Sequence, residues 1–141
     1  MKVAELMTQQ PRTIAPDESI EQAAKLMDEL DVGILPVCER DKLVGVITDR
    51  DITVRATAQG SPSSSTPVSD VMTQDVRCIE QDDDTADAEE LMAAMQIRRV
   101  PVIDANLRLV GMLSLGDLAV AGDPGVRAAL EEISQPGHPA V

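Results

Sequence analysis

An α/β fold made from two copies of one β-α-β-β-α unit is the architecture this sequence predicts, and three observations predict it. The chain repeats itself: VAELMTQQPRTI, starting at Val3, returns as VSDVMTQDVRCI at Val68, and ILPVCERDKLVGVITDRDI at Ile34 returns as RVPVIDANLRLVGMLSLGDL at Arg99. Within each copy the apolar pattern changes from helical spacing to short β-branched runs. The 141 residues suffice for one ordinary domain or for two half-size units sharing a core. A period of about 65 residues is too long for most solenoids, and two copies are fewer than a stacked array needs. The copies are therefore expected to pair about a pseudo-two-fold axis.

Each copy is expected to open with a helical turn, at residues 3–7 and 68–72, followed by a brief extended segment at 12–14 and 77–79. A helix follows. In the first copy Asp17 or Ser19 can cap it, and Ala23, Leu26, Met27 and Leu30 share one face; Ala88, Leu91, Met92 and Met95 repeat that face behind Asp82, Asp83 and Asp84. Residues 34–38 and 43–48, then 100–103 and 109–114, read as hairpins around polar turns. A second helix begins near Asp49 in one copy and Leu115 in the other. The predicted division is residues 1–59, a Ser- and Pro-rich flexible linker at 60–67, residues 68–122, and a C-terminal helix and loose tail at 123–141. The tail carries the one histidine, His138, expected to be solvated rather than catalytic.

Composition narrows the function. Phe, Tyr and Trp are absent, which removes aromatic stacking as a way to hold single-stranded nucleic acid. A formal charge of −13 is repelled by phosphate backbones and anionic lipid surfaces, so neither nucleic acid nor membrane is an expected partner. No stretch resembles a signal peptide or membrane span, and a cytoplasmic location is expected. Cys38 and Cys78 stand at non-equivalent places and form no metal-binding spacing, so buried structural thiols are expected and no metal site. The acidic run from Glu80 to Glu90 reads as helix N-terminal charge plus a solvated face. Ser63, Ser64 and Ser65 have no base beside them, and no catalytic constellation argues for an enzyme.

Both copies carry Gly-x-x-[Thr/Ser]-x-x-Asp: Gly45, Thr48, Asp51 and Gly111, Ser114, Asp117. The pattern places a hydroxyl at a strand end and an acid in the first helical turn, where N–H groups and the helix dipole favour an anion. Such a carboxylate can also accept two hydrogen bonds from a vicinal diol such as a ribose. The plainer reading is a capping box, with the hydroxyl residue at the N-cap and the acid at N3.

These motifs, each preceded by Leu-Val, together with the strand residues Pro36-Val37 and Pro101-Val102, resemble the cystathionine-β-synthase (CBS) domain; two in tandem look like a CBS pair, or Bateman module. The resemblance covers roughly residues 1 to 121 and implies a non-catalytic sensor. It would hold an adenine nucleotide (AMP, ADP, ATP) or S-adenosylmethionine as regulatory ligand in clefts between the repeats, require no cofactor, and form a homodimer that signals to a downstream protein. The resemblance assigns Thr48 and Asp51 to one cleft with Arg77, Cys78, Ile79, Arg98, Arg99 and Val100. It assigns Ser114 and Asp117 to the other with Thr13, Ile14, Ala15, Gly33, Ile34 and Leu35; Pro101 lies on the same strand as Val100. Arg98-Arg99, with Gly33-Ile34 as counterpart, favours the first cleft for phosphate, and Arg50 and Arg55 add charge nearby. Lacking aromatics, adenine is expected against Ile14, Ile34, Ile79 or Val100. Two alternatives stand beside this reading: a ligand-free CBS scaffold for protein interaction, and a thiol-based redox-responsive protein using Cys38 and Cys78. The homodimer contact is expected on the helices after Asp51 and Asp117.

Overall fold

The computed structural model describes residues 1–136, so the tail with His138 lies outside the described residues. In chain order the elements are α1 (Val3–Leu6), β1 (Thr8–Gln9), α2 (Ile20–Leu30), β2 (Ile34–Glu39), β3 (Lys42–Thr48) and a short helical turn α3 (Asp49–Asp51). Then follow β4 (Ile79–Glu80), α4 (Thr85–Met95), β5 (Arg99–Ile103), β6 (Leu109–Ser114), α5 (Leu115–Val120) and α6 (Val126–Ile133). The fold is α/β as the repeat predicts. Two compact units divide the chain: Arg12–Val76, and Met1–Pro11 together with the chain from Arg77 onward.

In the unit Arg12–Val76, Ser19 caps α2 by accepting the Gln22 N–H at 3.2 Å. Ile20, Ala23 and Met27 recur at helical spacing, and all three are buried. They pack on Ile14, Leu35, Val37 and Ile47. Strands β2 and β3 pair antiparallel, with Ile34 opposite Thr48, and Ile14 bridges to Val37 in parallel. Residues 60–67 are bonded rather than free. The Thr66 carbonyl accepts the Ile20 N–H at 2.9 Å and the Ser63 carbonyl the Glu21 N–H at 3.1 Å. These N–H groups begin a helix and have no partner inside it, so the Ser- and Pro-rich segment satisfies them. Its Thr66 is buried, with its hydroxyl donating to the Pro62 carbonyl at 2.6 Å. Beyond it the 3₁₀ turn Val68–Asp70 buries Val68, and Thr73 exchanges backbone bonds with Val46 at 2.8 and 3.0 Å.

The other unit builds a four-stranded sheet in the order β1-β6-β5-β4, with β4 parallel to β5 and the other pairs antiparallel. Helix α1 is anchored by N–H bonds from Val3 to the Asp83 carbonyl (2.9 Å) and from Ala4 to that of Gln81 (3.0 Å). Strand β1 then sets Gln9 opposite Gly111. The two units share one arrangement: the opening segment of each repeat lies against the other repeat's hairpin. Residues 3–9 meet β6, and residues 68–73 meet β3. Behind the sheet, Val3, Ala88, Met92, Val100, Val102, Leu113 and Leu118 form the core.

Helix α6 is held to α4 by the Gln96 side chain, whose Nε2 donates to the Glu132 carbonyl at 2.8 Å. It is also held by a carboxyl pair: Glu89 reaches Gly125 and shares a hydrogen bond with Asp123. Asp123 further accepts from Thr85 Oγ1 (3.1 Å) and the Gly125 N–H (3.0 Å). Burial, then Asp123 and Asp84, push Glu89 up to about 7. The bond from Glu89 and the Gly125 N–H hold Asp123 below its ordinary value. The charged groups around the pair are Asp84 and the Met1 ammonium, which lie 3.5 Å apart. Between its unfolded value near 4.5 and about 7, Glu89 keeps a proton in the folded chain that the unfolded chain has released. Stability therefore falls as pH rises through that window, then levels. Asp123 acts oppositely, losing its contribution only in acid below its ordinary value. Glu89→Gln keeps a donor for Asp123 without titrating. Its melting temperature relative to the native chain is expected to climb from pH 5 to pH 7 and then plateau; a difference independent of pH would contradict the pairing.

Candidate functional site

The two Gly-x-x-[Thr/Ser]-x-x-Asp segments form matching local structures, one in each unit. Thr48 is the N-cap of α3: its Oγ1 accepts the Asp51 N–H at 3.0 Å while Asp51 Oδ2 accepts the Thr48 N–H at 3.0 Å. At α5, Ser114 Oγ accepts the Asp117 N–H at 3.0 Å and Asp117 Oδ2 the Ser114 N–H at 2.9 Å. Both are reciprocal capping boxes, so the plainer sequence reading is correct as a description of the local fold. The first helical N–H of each turn is also engaged. Asp49 N–H reaches the Gly33 carbonyl (3.0 Å) and Leu115 N–H the Arg98 carbonyl (2.8 Å). At Thr48, where the Arg50 N–H is also held by Asp49 Oδ1 at 2.8 Å, a ligand is thus met by carboxylate and hydroxyl oxygens rather than by free N–H groups.

The motif glycine has its own physical reason. A Cβ on Gly45 would stand 2.9 Å from the Thr73 carbonyl oxygen and from Met72 Sδ; one on Gly111 would stand 2.9 Å from the Thr8 carbonyl oxygen and 2.5 Å from Met7 Sδ. The opening segment of the other repeat crosses each hairpin at this point, and only a residue without a side chain admits it.

Hairpin pairing decides which expected residues meet within a unit. Thr48 stands opposite Ile34, next to Gly33, and the Asp49 carboxylate covers the face of Gly33. Ser114 stands opposite Arg99, and Leu115 is bonded to Arg98. The basic pair therefore shares a hairpin with Ser114, whereas Thr48 has one extra acid, Asp49, where Ser114 is followed by Leu115, and no basic counterpart at Gly33-Ile34. Arg50, Arg77, Arg98, Arg99, Thr13 and Gly33 are exposed, and Ala15 and Ile34 are half-buried. Ile14, Leu35, Ile79 and Val100 belong to the two cores, at 2%, 1%, 6% and 0% exposure, and Pro101 is buried. Of the four aliphatic residues expected to flank adenine, three are thus buried in core packing and Ile34 alone is half-exposed.

Asp51 has two neighbours outside its motif: Arg55, expected from the sequence to add charge nearby, and Thr73, which the sequence reading did not single out. Thr73 Oγ1 lies 3.3 Å from both carboxylate oxygens, and Arg55 Nε lies 3.7 Å from Oδ1 while Arg55 donates to the Met72 carbonyl at 3.3 Å. The signal for Thr73 was present: MTQ is identical in both repeats beside the segment that crosses the motif glycine. Arg55 is placed by a π-helical turn, Ile52–Ala56, that follows α3; α5 has no such turn.

Cys38 is buried, and burial with Asp41 beside it pushes its thiol up to about 11; burial and then Glu80 raise Cys78 as well. Both shifts suppress the thiolate that redox chemistry requires. No helix among the described residues is long and apolar enough to cross a membrane.

A duplicated α/β unit, each copy ending its hairpin in a capped hydroxyl and carboxylate, defines a tandem module. The family model for the CBS domain matches residues 3–56 and 68–123. The chain belongs to the CBS-domain family, as a tandem pair. It is 47% identical over 118 residues to the CBS domain-containing protein YhcV of Bacillus subtilis, covering 84% of this chain and 83% of that one. Among solved structures it resembles CBSX2 in complex with AMP (TM-score 0.76, 29% identity, 86% of this chain and 95% of that one). It also resembles the CBS domain pair of MJ0100 in complex with 5′-methylthioadenosine and S-adenosyl-L-methionine (TM-score 0.74, 29% identity, 86% and 95%).

Proposed function

We propose that the protein is a non-catalytic, cytoplasmic sensor that binds an adenosine-containing ligand, an adenine nucleotide or S-adenosylmethionine, and signals through a partner protein. The observation that carries this reading is the twice-built pair of hydroxyl and carboxylate, Thr48 with Asp51 and Ser114 with Asp117, at one place in each unit. A carboxylate whose orientation is fixed by a capping bond presents its remaining lone pairs in a set geometry, which suits a ribose diol. The complexes of CBSX2 with AMP and of MJ0100 with S-adenosylmethionine support the ligand class. As the resemblance implies, residues 77–79 and 98–100 would serve the ligand of Thr48 and Asp51, and residues 13–15 and 33–35 that of Ser114 and Asp117. Homodimerisation would use the helices that carry Val54 and Val120, equivalent positions where an apolar side chain is 44% and 92% exposed.

Ligand that binds only the folded chain at about 100 times its Kd adds about 2.7 kcal/mol. AMP, ATP or S-adenosylmethionine is therefore expected to raise the melting temperature by several degrees in the native protein and not in the double variant Asp51→Ala, Asp117→Ala. An equal rise in both proteins, or none in the native one, would overturn the assignment. A ligand-bound state can alter the partner only through its differential affinity for two conformations.

A further inference from the structure

The two carboxylates that the sequence makes equivalent are not equivalent in the folded chain. Asp51 is buried to 8% exposure, and beyond its capping bond its oxygens are engaged by the Thr73 hydroxyl and the Arg55 guanidinium. Asp117 is half-buried, and beyond its capping bond its Oδ1 has no hydrogen-bond or ion-pair partner among the described residues. The difference is written in the sequence at the matching positions. Arg55 corresponds to Ala121, and the π-helical turn that carries Arg55 has no counterpart after Asp117. Thr73 corresponds to Thr8, which is exposed.

A vicinal diol needs two acceptor positions on one carboxylate. Asp117 offers the whole of Oδ1 and a second lone pair on Oδ2. Asp51 offers them only after Arg55 withdraws and Thr73 rotates.

Resting on the adenosine-ligand reading above, we propose that Arg55 is an internal lock on Asp51, so that the pair fills in order: Ser114 and Asp117 accept ligand first, and Thr48 and Asp51 only when Arg55 is displaced. Arg55 is then the residue that sets the spacing between the two affinities. Because its side chain is 54% exposed, it can leave Asp51 without opening the core.

The test is calorimetric titration of the full chain with AMP. Native protein is expected to bind one tight equivalent, lost in Asp117→Ala and kept in Asp51→Ala. In Arg55→Ala the second equivalent is expected to tighten at least tenfold, whereas Ala121→Arg, which installs the same cation in the other repeat, weakens the first at least tenfold. Two equal equivalents in the native chain, a tight equivalent lost with Asp51 instead of Asp117, or a second equivalent unmoved by Arg55→Ala would overturn the lock. Binding to none of the variants would overturn the adenosine reading itself, and the filling order with it. The ion pair has a separate readout without ligand: the Arg55 Nε–H resonance is expected to shift in Asp51→Asn, and an unmoved resonance contradicts the pair.

Discussion

Gly111→Val is expected to be among the most damaging single substitutions in this chain, lowering stability by about 3 kcal/mol. Its new Cβ would meet the Thr8 carbonyl oxygen at 2.9 Å and Met7 Sδ at 2.5 Å. The sulfur sits on a flexible side chain and can move; the carbonyl belongs to β1, whose pairing sets Thr8 opposite Met112 and Gln9 opposite Gly111. Relief therefore requires the opening segment to lift from β6, adding lost strand bonds of about 1 kcal/mol each to an overpacking cost of about 1–3 kcal/mol. Gly45→Val is expected to act alike against Thr73, through the bonds between Thr73 and Val46. Gly116 is the control. A Cβ there meets Ser114 Oγ alone, at 3.6 Å, and Gly116→Ala in helix α5 is expected to be neutral or to stabilise by about 0.5–1 kcal/mol. Thermal or urea melts of the three variants decide it, and a Gly111→Val protein as stable as the native one would refute the crossing.

Leu118→Ala is the second large effect, at about 2–5 kcal/mol. Leu118 is 0% exposed in the core with Val3, Met92, Val100 and Leu113, so truncation leaves a cavity as well as losing burial. It follows Asp117 directly, and the same packing that buries it fixes α5 and hence the direction of the Asp117 carboxylate. Two residues on, Val120 is 92% exposed, and Val120→Ala is expected to change stability by no more than about 0.5 kcal/mol. Urea melts compare the two; equal effects would mean that the register of α5 is wrong.

Much of this molecule is legible in the sequence because local rules govern it. The hairpins follow from β-branched runs around polar turns, helix α2 from Ser19 and its buried face, and the capping boxes from a hydroxyl three residues before an acid. What escapes depends on contacts between segments far apart. A two-residue strand such as β1 has no periodicity to detect; it exists because β6 offers it an edge. The exchange of opening segments leaves a trace only as glycine in the motif, where loss of the side chain had been read as part of a ligand pattern. Residues 60–67 look like a flexible linker by composition, yet their carbonyls end up capping α2. Residues 100–103 read as a strand, and β5 begins one residue earlier, at Arg99, whose neighbour across the hairpin was not foreseen. A hairpin sets its own partners, and Ser114 stands across from Arg99. Arg55 against Ala121 is visible in the sequence, but the π-helical turn that carries Arg55 to Asp51 has no sequence signature, so which carboxylate is engaged emerges only from the folded chain.

The absence of Phe, Tyr and Trp makes the most direct test of ligand binding unusually clean, because the polypeptide contributes little in the adenine absorption band. Equilibrium dialysis against AMP, ATP and S-adenosylmethionine, read by ultraviolet absorbance on the protein side, is the measurement. Excess absorbance that saturates with one of these compounds and disappears in the double variant Asp51→Ala, Asp117→Ala is the result predicted. Equal absorbance on both sides of the membrane for all three, with a protein shown to be folded, would contradict the account.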